Sequence, residues 1–111
     1  MNSGYSLKRL DGLEAKAELV QYVTEHFPAL AAKARYHILF SCLYHQQQVQ
    51  LFLDAGEQKK AAEKIDAIRM GNPIQLGDCK KLSIKSRVWV LLSRISFRTT
   101  CKLRNKLRIG L

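Results

Sequence analysis

The side chains of this 111-residue chain best suited to metal binding are three histidines, His26, His37 and His45. His37 and His45 are eight residues apart, and on a helix this spacing separates them by about 12 Å, too far to share one ion. No two histidines have the i, i+4 spacing of helical zinc sites. We therefore interpret the histidines as surface or partly buried side chains and predict no metal site.

Nucleophilic chemistry would require a thiol next to a base, and helical spacing brings Cys42 near His45. Such a pair also needs an oxyanion site and an orienting group, and the sequence identifies neither. The cysteines are three in number and widely spaced, which predicts reduced thiols in a cytosolic protein. We expect no catalytic residue and no bound cofactor in this chain.

The charges are distributed unevenly along the chain. Residues 1–79 hold nine basic and nine acidic side chains, whereas residues 80–111 hold ten Lys and Arg and no acid, so the second segment carries the whole net charge of +10. A segment of this kind indicates an anionic membrane surface, nucleic acid, or a solvated end. The predicted contacts with an anionic surface are Arg94, Arg98, Lys102, Arg104, Lys106 and Arg108.

Four aromatic residues are candidates for an interface. Tyr36, Phe40 and Tyr44 form an i, i+4 row on one predicted helix, which either widens its apolar face or contacts a neighbour. Trp89 lies near the basic tail, so it is either a core side chain or an anchor at a lipid headgroup boundary.

The elements that must position these residues are helical. Apolar residues recur at three- and four-residue spacings, and the region 29–54 contains neither Gly nor Pro. The prediction is an all-α fold, a small bundle of about four helices in one domain over 1–111. The predicted helices cover 7–27, 29–54, 57–70 and 83–108, with a connector at 71–82. The last is a basic amphipathic helix with an apolar face formed by Ile84, Val88, Leu91, Leu92 and Ile95, and Gln46, Gln47 and Gln48 are predicted to lie on the surface.

The segment "SGYSLKRLDGLEAKAELVQYVTEHFPALAAKARYHILFSCLYH" resembles the region that follows the catalytic domain in bacterial family 2 glycosyltransferases, which build capsular and exopolysaccharides. The similar features are "KRLD", a helix of the "LEAK" kind, an aromatic-Pro boundary, and a long helix with Ala, Tyr and Leu. The later "KLSIKSRVWVLLSRISFRTTCKLRNKL" resembles the closing segment of that family.

The resemblance implies a parent enzyme with a GT-A-type catalytic domain that binds a nucleotide sugar and a divalent metal through a DxD-like motif. This chain has no DxD, so those functional residues do not carry over. The resemblance therefore implies a non-catalytic C-terminal helical domain that packs on the catalytic domain, in the cytoplasm and at the inner face of the membrane.

Two classes of function follow from the sequence. The first is this accessory domain, docked at an anionic membrane surface through the basic segment, with a catalytic domain or another copy of the chain as partner. The alternative is a small basic module that binds nucleic acid or another protein. A third interpretation is that the basic segment is a solvated end with no partner. A helix-turn-helix is disfavoured because no scaffold helix precedes the basic segment at turn spacing.

Overall fold

The computed structural model describes residues 7–74 and 76–109. Within these ranges the chain contains helices and turns but no β-strand, so the predicted all-helical bundle is confirmed. The described residues form five α-helices: α1 (Leu10–His26), α2 (Ala31–Phe52), α3 (Ala55–Gly71), α4 (Ile84–Ile95) and α5 (Phe97–Lys106). Three 3₁₀ helices lie before or between them, at Leu7–Arg9, Pro28–Leu30 and Leu76–Lys81.

Helix α2 is the centre of the bundle. It packs against α1, α3 and α5, and the 3₁₀ helix Leu76–Lys81 also contacts it. Because neighbours surround its C-terminal half, five consecutive residues are buried, His45, Gln46, Gln47, Gln48 and Val49. The prediction that the three glutamines lie on the surface is therefore wrong. The core cluster around α2 consists of Leu10, Leu13, Ala17, Val20, Ile38, Leu39, Cys42, Leu43, Val49, Ala61, Ile65, Val90, Phe97 and Cys101.

The junction between α2 and α3 lies two residues earlier than predicted, at 53–54 and not at 55–56. Asp54 is the N-cap of α3, and its Oδ1 accepts a hydrogen bond of 2.8 Å from the backbone N–H of Glu57. Helix α3 thus begins at Ala55 and includes Gly56 in its first turn, where the prediction began the helix at 57. A capping carboxylate satisfies a free N–H of the first turn, which fixes the start of the helix.

The predicted final helix over 83–108 is two helices in the structure. Ser96 has an extended backbone (φ −155°, ψ 103°) and separates α4 from α5. Its N–H donates to the carbonyl of Leu92 at 3.0 Å, and its Oγ accepts from the N–H of Thr99 at 3.4 Å. One serine therefore ends α4 and caps α5.

An ion pair fixes the connector before α4. Asp78, in the 3₁₀ helix Leu76–Lys81, accepts two hydrogen bonds from the guanidinium of Arg35 on α2, at 2.7 Å from Nε and 2.8 Å from Nη2. The predicted domain over 1–111 includes residues 1–6, 75 and 110–111, which lie outside the described ranges. Of the helices described, none has both the length and the apolar character required to cross a bilayer.

Candidate functional site

Helix α4 packs on the bundle through one narrow side. Its buried residues are Trp89, Val90 and Ser93, and its main neighbour is α5. Ser83 caps its N-terminus by accepting a hydrogen bond of 3.2 Å from the N–H of Ser86. The helix is therefore well defined at its start, although only one side of it is covered.

The opposite side of α4 is apolar and exposed. The exposed fractions are 79% for Ile84, 47% for Val88, 54% for Leu91 and 82% for Ile95. At 100° per residue these four side chains fall within an arc of about 60°, centred roughly opposite the packed side. We call this row (Ile84, Val88, Leu91 and Ile95) the α4 apolar face. Contiguous exposed apolar surface of this kind marks interaction sites in proteins.

Basic residues flank the α4 apolar face. On the helix circumference Arg87 and Arg94 lie beside it on one flank and Lys85 on the other, and all three are exposed. The Nη2 of Arg87 donates to the carbonyl of Lys80 at 2.6 Å, which holds the connector against the start of the helix. No acid occurs from 80 to 109, so no carboxylate of this segment neutralises the flanks.

The break at Ser96 divides the predicted contacts with an anionic surface between two helices. Arg94 belongs to α4, whereas Arg98, Lys102 and Lys106 are exposed on α5. Arg98 forms an ion pair of 3.2 Å with Asp66. Arg108, just beyond α5, is exposed and has a left-handed backbone with φ 57°.

Arg104 differs from the prediction of a surface contact. Its exposed fraction is 7%, because α5 turns Thr100, Cys101 and Arg104 toward α2. Its Nε donates to Gln47 Oε1 at 2.9 Å, and its guanidinium carbon lies 4.9 Å from the centre of the Trp89 ring. Burial lowers the pKa of the Arg104 guanidinium. The Arg104 guanidinium therefore contacts Gln47 and Trp89 inside the bundle and is not available to an external surface.

The aromatic row mostly contacts neighbouring helices. The rings of Tyr36 and Phe40 are 4.7 Å apart, and the Tyr36 hydroxyl lies 3.4 Å from the hydroxyl oxygen of Ser86 on α4. Phe40 also lies 5.7 Å from the Arg104 guanidinium. Tyr44 is the exposed member of the row, at 39%, whereas Trp89 is buried at 8%. The row therefore joins α2 to α4 and α5 rather than forming one bare surface.

The Cys42 and His45 side chains are both buried. Burial raises the pKa of the Cys42 thiol to about 12 and lowers the pKa of the His45 imidazole to about 4. A thiol with that pKa is protonated at neutral pH and is a poor nucleophile. In the part of the chain that the structure describes, no three His, Cys, Asp or Glu side chains are grouped so that they could hold a metal ion.

The exposure of the α4 apolar face is the feature that sequence reasoning missed. The apolar spacing was visible, but a pattern of this kind does not say whether the face meets a core or solvent. A signal was present in the buried trio Trp89, Val90 and Ser93, which includes the only tryptophan and lies on the opposite side. A helix with large apolar residues on both sides has more apolar surface than one neighbour covers.

Comparison of the chain with protein-family models, with curated proteins and with solved structures gave no match.

Proposed function

We propose that this chain is a helical module that docks reversibly on an anionic membrane surface through α4. The observation that carries the proposal is the exposed α4 apolar face, which lies opposite the packed side of the same helix. An amphipathic helix lies in the plane of a bilayer interface when its apolar side enters the acyl boundary and its basic side chains remain at the headgroups. Lys85, Arg87 and Arg94 occupy the flanks that this orientation requires.

Membrane binding should require both insertion of the apolar side chains and attraction between the basic residues and the anionic lipids. Full burial of one aliphatic side chain is worth about 1.5–3 kcal/mol, so partial insertion of four of them contributes several kcal/mol. A basic residue close to an anionic leaflet adds about 1 kcal/mol at low salt. We therefore expect binding that increases with the anionic lipid content and weakens with salt.

We also propose, from the sequence resemblance alone, that the module is the non-catalytic C-terminal part of a polysaccharide-building glycosyltransferase. In that setting it packs on the catalytic domain and holds the enzyme at the cytoplasmic face of the membrane. The nucleotide sugar and the divalent metal of such an enzyme belong to the catalytic domain. Docking through α4 stands independently of this assignment.

The test is co-sedimentation of the chain with phosphatidylcholine vesicles of graded phosphatidylglycerol content. Leu91→Glu places a charge in the α4 apolar face, and Met70→Glu makes the same change in charge at a residue of α3 that is 70% exposed. We expect Leu91→Glu to weaken vesicle binding at least tenfold, which corresponds to about 1.4 kcal/mol. Met70→Glu should bind like the wild type, and both variants should retain the helical circular dichroism spectrum.

Equal binding by Leu91→Glu and Met70→Glu would overturn the docking proposal. A steeply salt-dependent shift with RNA or DNA, without vesicle binding, would instead favour the nucleic-acid alternative. A catalytic domain or a second copy of the chain that covers the α4 apolar face would give a Leu91-dependent complex in solution and no vesicle binding.

A further inference from the structure

A polar cleft of about 440 Å³ lies between α2, α3 and α5. Its charged lining residues are Lys59 from α3 and Arg98 and Lys102 from α5, opposed by a single carboxylate, Glu63. Three positive charges and one negative charge leave the lining at +2. The cleft is therefore an electropositive recess made by three helices, and the α4 apolar face takes no part in its lining.

The cations of the cleft are only partly neutralised within the chain. Lys59 and Lys102 form no ion pair with any described residue. Arg98 is paired with Asp66, but that carboxylate also receives a hydrogen bond of 3.3 Å from Arg69. Two lysine ammonium groups thus line the recess without an acid of their own.

The buried glutamine Gln46 also lines the cleft. Its exposed fraction is 5%, and its carboxamide makes no hydrogen bond with another described residue. Its neighbour in the lining, Gln50, is engaged, since it donates to the carbonyl of Arg98 and accepts from Asn105. The carboxamide atoms of Gln46 are not among the fully buried, unpartnered polar atoms of the described residues, so this amide is accessible at the wall of the cleft and can donate to a ligand there.

We propose that this cleft binds a phosphate group, with Lys59, Arg98 and Lys102 as the charged contacts and the Gln46 amide as a neutral donor. Arginine and lysine side chains form short, charge-assisted hydrogen bonds with phosphate oxygens, and an amide adds a directed bond without adding charge. The phosphate belongs either to a soluble phosphate compound or to an anionic lipid headgroup. The chemistry is the same in both cases.

Isothermal titration of the chain with sodium pyrophosphate at about 0.15 M salt tests the site. Lys102→Gln removes a cation from the lining, and Lys106→Gln makes the same change at an exposed lysine of the same helix that does not line the cleft. We expect saturable binding by the wild type, at least fivefold weaker binding by Lys102→Gln, and less than a twofold change for Lys106→Gln. Gln46→Leu should weaken binding while leaving the net charge unchanged.

A second titration, with monomeric short-chain phosphatidylglycerol, separates the two sources of phosphate. Tighter binding of the lipid, still sensitive to Lys102→Gln, identifies a headgroup site, and tighter binding of pyrophosphate identifies a soluble ligand. Failure of both probes to saturate, or equal weakening by the two lysine variants, overturns the proposal. Leu91→Glu distinguishes this site from the membrane docking, because it should lose vesicle binding and keep pyrophosphate binding.

Discussion

The Nε of Arg104 donates a hydrogen bond of 2.9 Å to Oε1 of Gln47 across the buried contact between α5 and α2. The amide nitrogen of the same glutamine donates to the side-chain oxygen of Asn105 at 3.2 Å and to the carbonyl of Ile109 at 2.6 Å. One carboxamide therefore fixes three residues at the end of the chain. These polar contacts orient α5, which is the main support of α4.

Replacing Gln47 by leucine should destabilise the bundle strongly. The variant leaves the Arg104 guanidinium buried without its acceptor, and breaking a buried charged hydrogen bond costs about 2–4 kcal/mol. Urea unfolding monitored by circular dichroism measures the loss. Gln21→Leu, at an exposed position of α1, makes the same chemical change and should alter the free energy of unfolding by less than about 0.5 kcal/mol.

The double variant Gln47→Leu/Arg104→Met separates the cost of an unpaired charge from the value of the pair. Replacing both partners by apolar groups of similar size is often nearly neutral. The double variant should therefore be more stable than Gln47→Leu alone. If the double variant loses as much free energy of unfolding as Gln47→Leu and Arg104→Met lose together, this account of the contact is contradicted.

The ion pair between Arg35 and Asp78 should couple the connector to the bundle. The carboxylate is almost buried, with 6% of its side chain exposed, and both of its oxygens accept from the guanidinium. Asp78→Asn keeps the shape but removes the charge, and we expect a loss of about 2–3 kcal/mol in the free energy of unfolding. Asp66→Asn, in a more exposed pair, should cost about 1 kcal/mol or less. Equal losses of unfolding free energy in Asp78→Asn and Asp66→Asn would show that the Arg35–Asp78 pair does not couple the connector to the bundle.

The sequence predicts the first three helices because their apolar residues face the core at regular spacings. Leu10, Leu13, Ala17 and Val20 are buried along α1 as such a pattern requires. The prediction is weakest for residues whose environment is set by several neighbours. Gln46, Gln47 and Gln48 are buried because three helices surround α2, and local composition carries no information about that crowding.

In the candidate site, the environment of Arg104 is likewise set by residues from other helices. A basic side chain in a basic segment is expected to face solvent, yet Arg104 is held inside by Gln47 and Trp89, which are distant in sequence. The break at Ser96 does have a local signal, since a serine followed three residues later by threonine can cap a helix. Because Ser96 lies inside an apparently continuous helical pattern, the sequence predicts one helix across this capping signal. The exposed contacts Arg94, Arg98, Lys102, Lys106 and Arg108 remain predictions.

Arg108→Gly should stabilise the protein. Arg108 occupies the left-handed region with φ 57°, and the N–H of Ile109 donates to the carbonyl of Arg104 at 2.8 Å, as in a Schellman motif. A residue with a Cβ is strained there by about 1–2 kcal/mol, from which the greater freedom of glycine in the unfolded chain is subtracted. We expect a net gain of about 0.5–1 kcal/mol in urea unfolding. Arg108→Ala keeps the Cβ and should give no gain, and a gain of the same size would contradict backbone strain as the cause.

The stability of the bundle should fall between neutral and mildly acidic pH because of His45. Burial, together with the nearby charges of Lys16 and Arg9, lowers the pKa of its imidazole from 6.5 to about 4. The unfolded chain therefore takes up a proton near pH 6.5 that the folded chain takes up only near pH 4. Since the unfolded state binds more protons in this window, the free energy of unfolding decreases as the pH falls through it.

The expected decrease is about 1–3 kcal/mol, because each pKa unit corresponds to about 1.4 kcal/mol and the imidazole is not fully removed from water. His45→Gln cannot titrate, so its free energy of unfolding should vary less than that of the wild type between pH 7 and pH 4.5. Urea unfolding at several pH values measures the difference. Nuclear magnetic resonance of the His45 ring then provides a direct check, and a midpoint near 6.5 in the folded protein would show that its burial does not control this pH dependence.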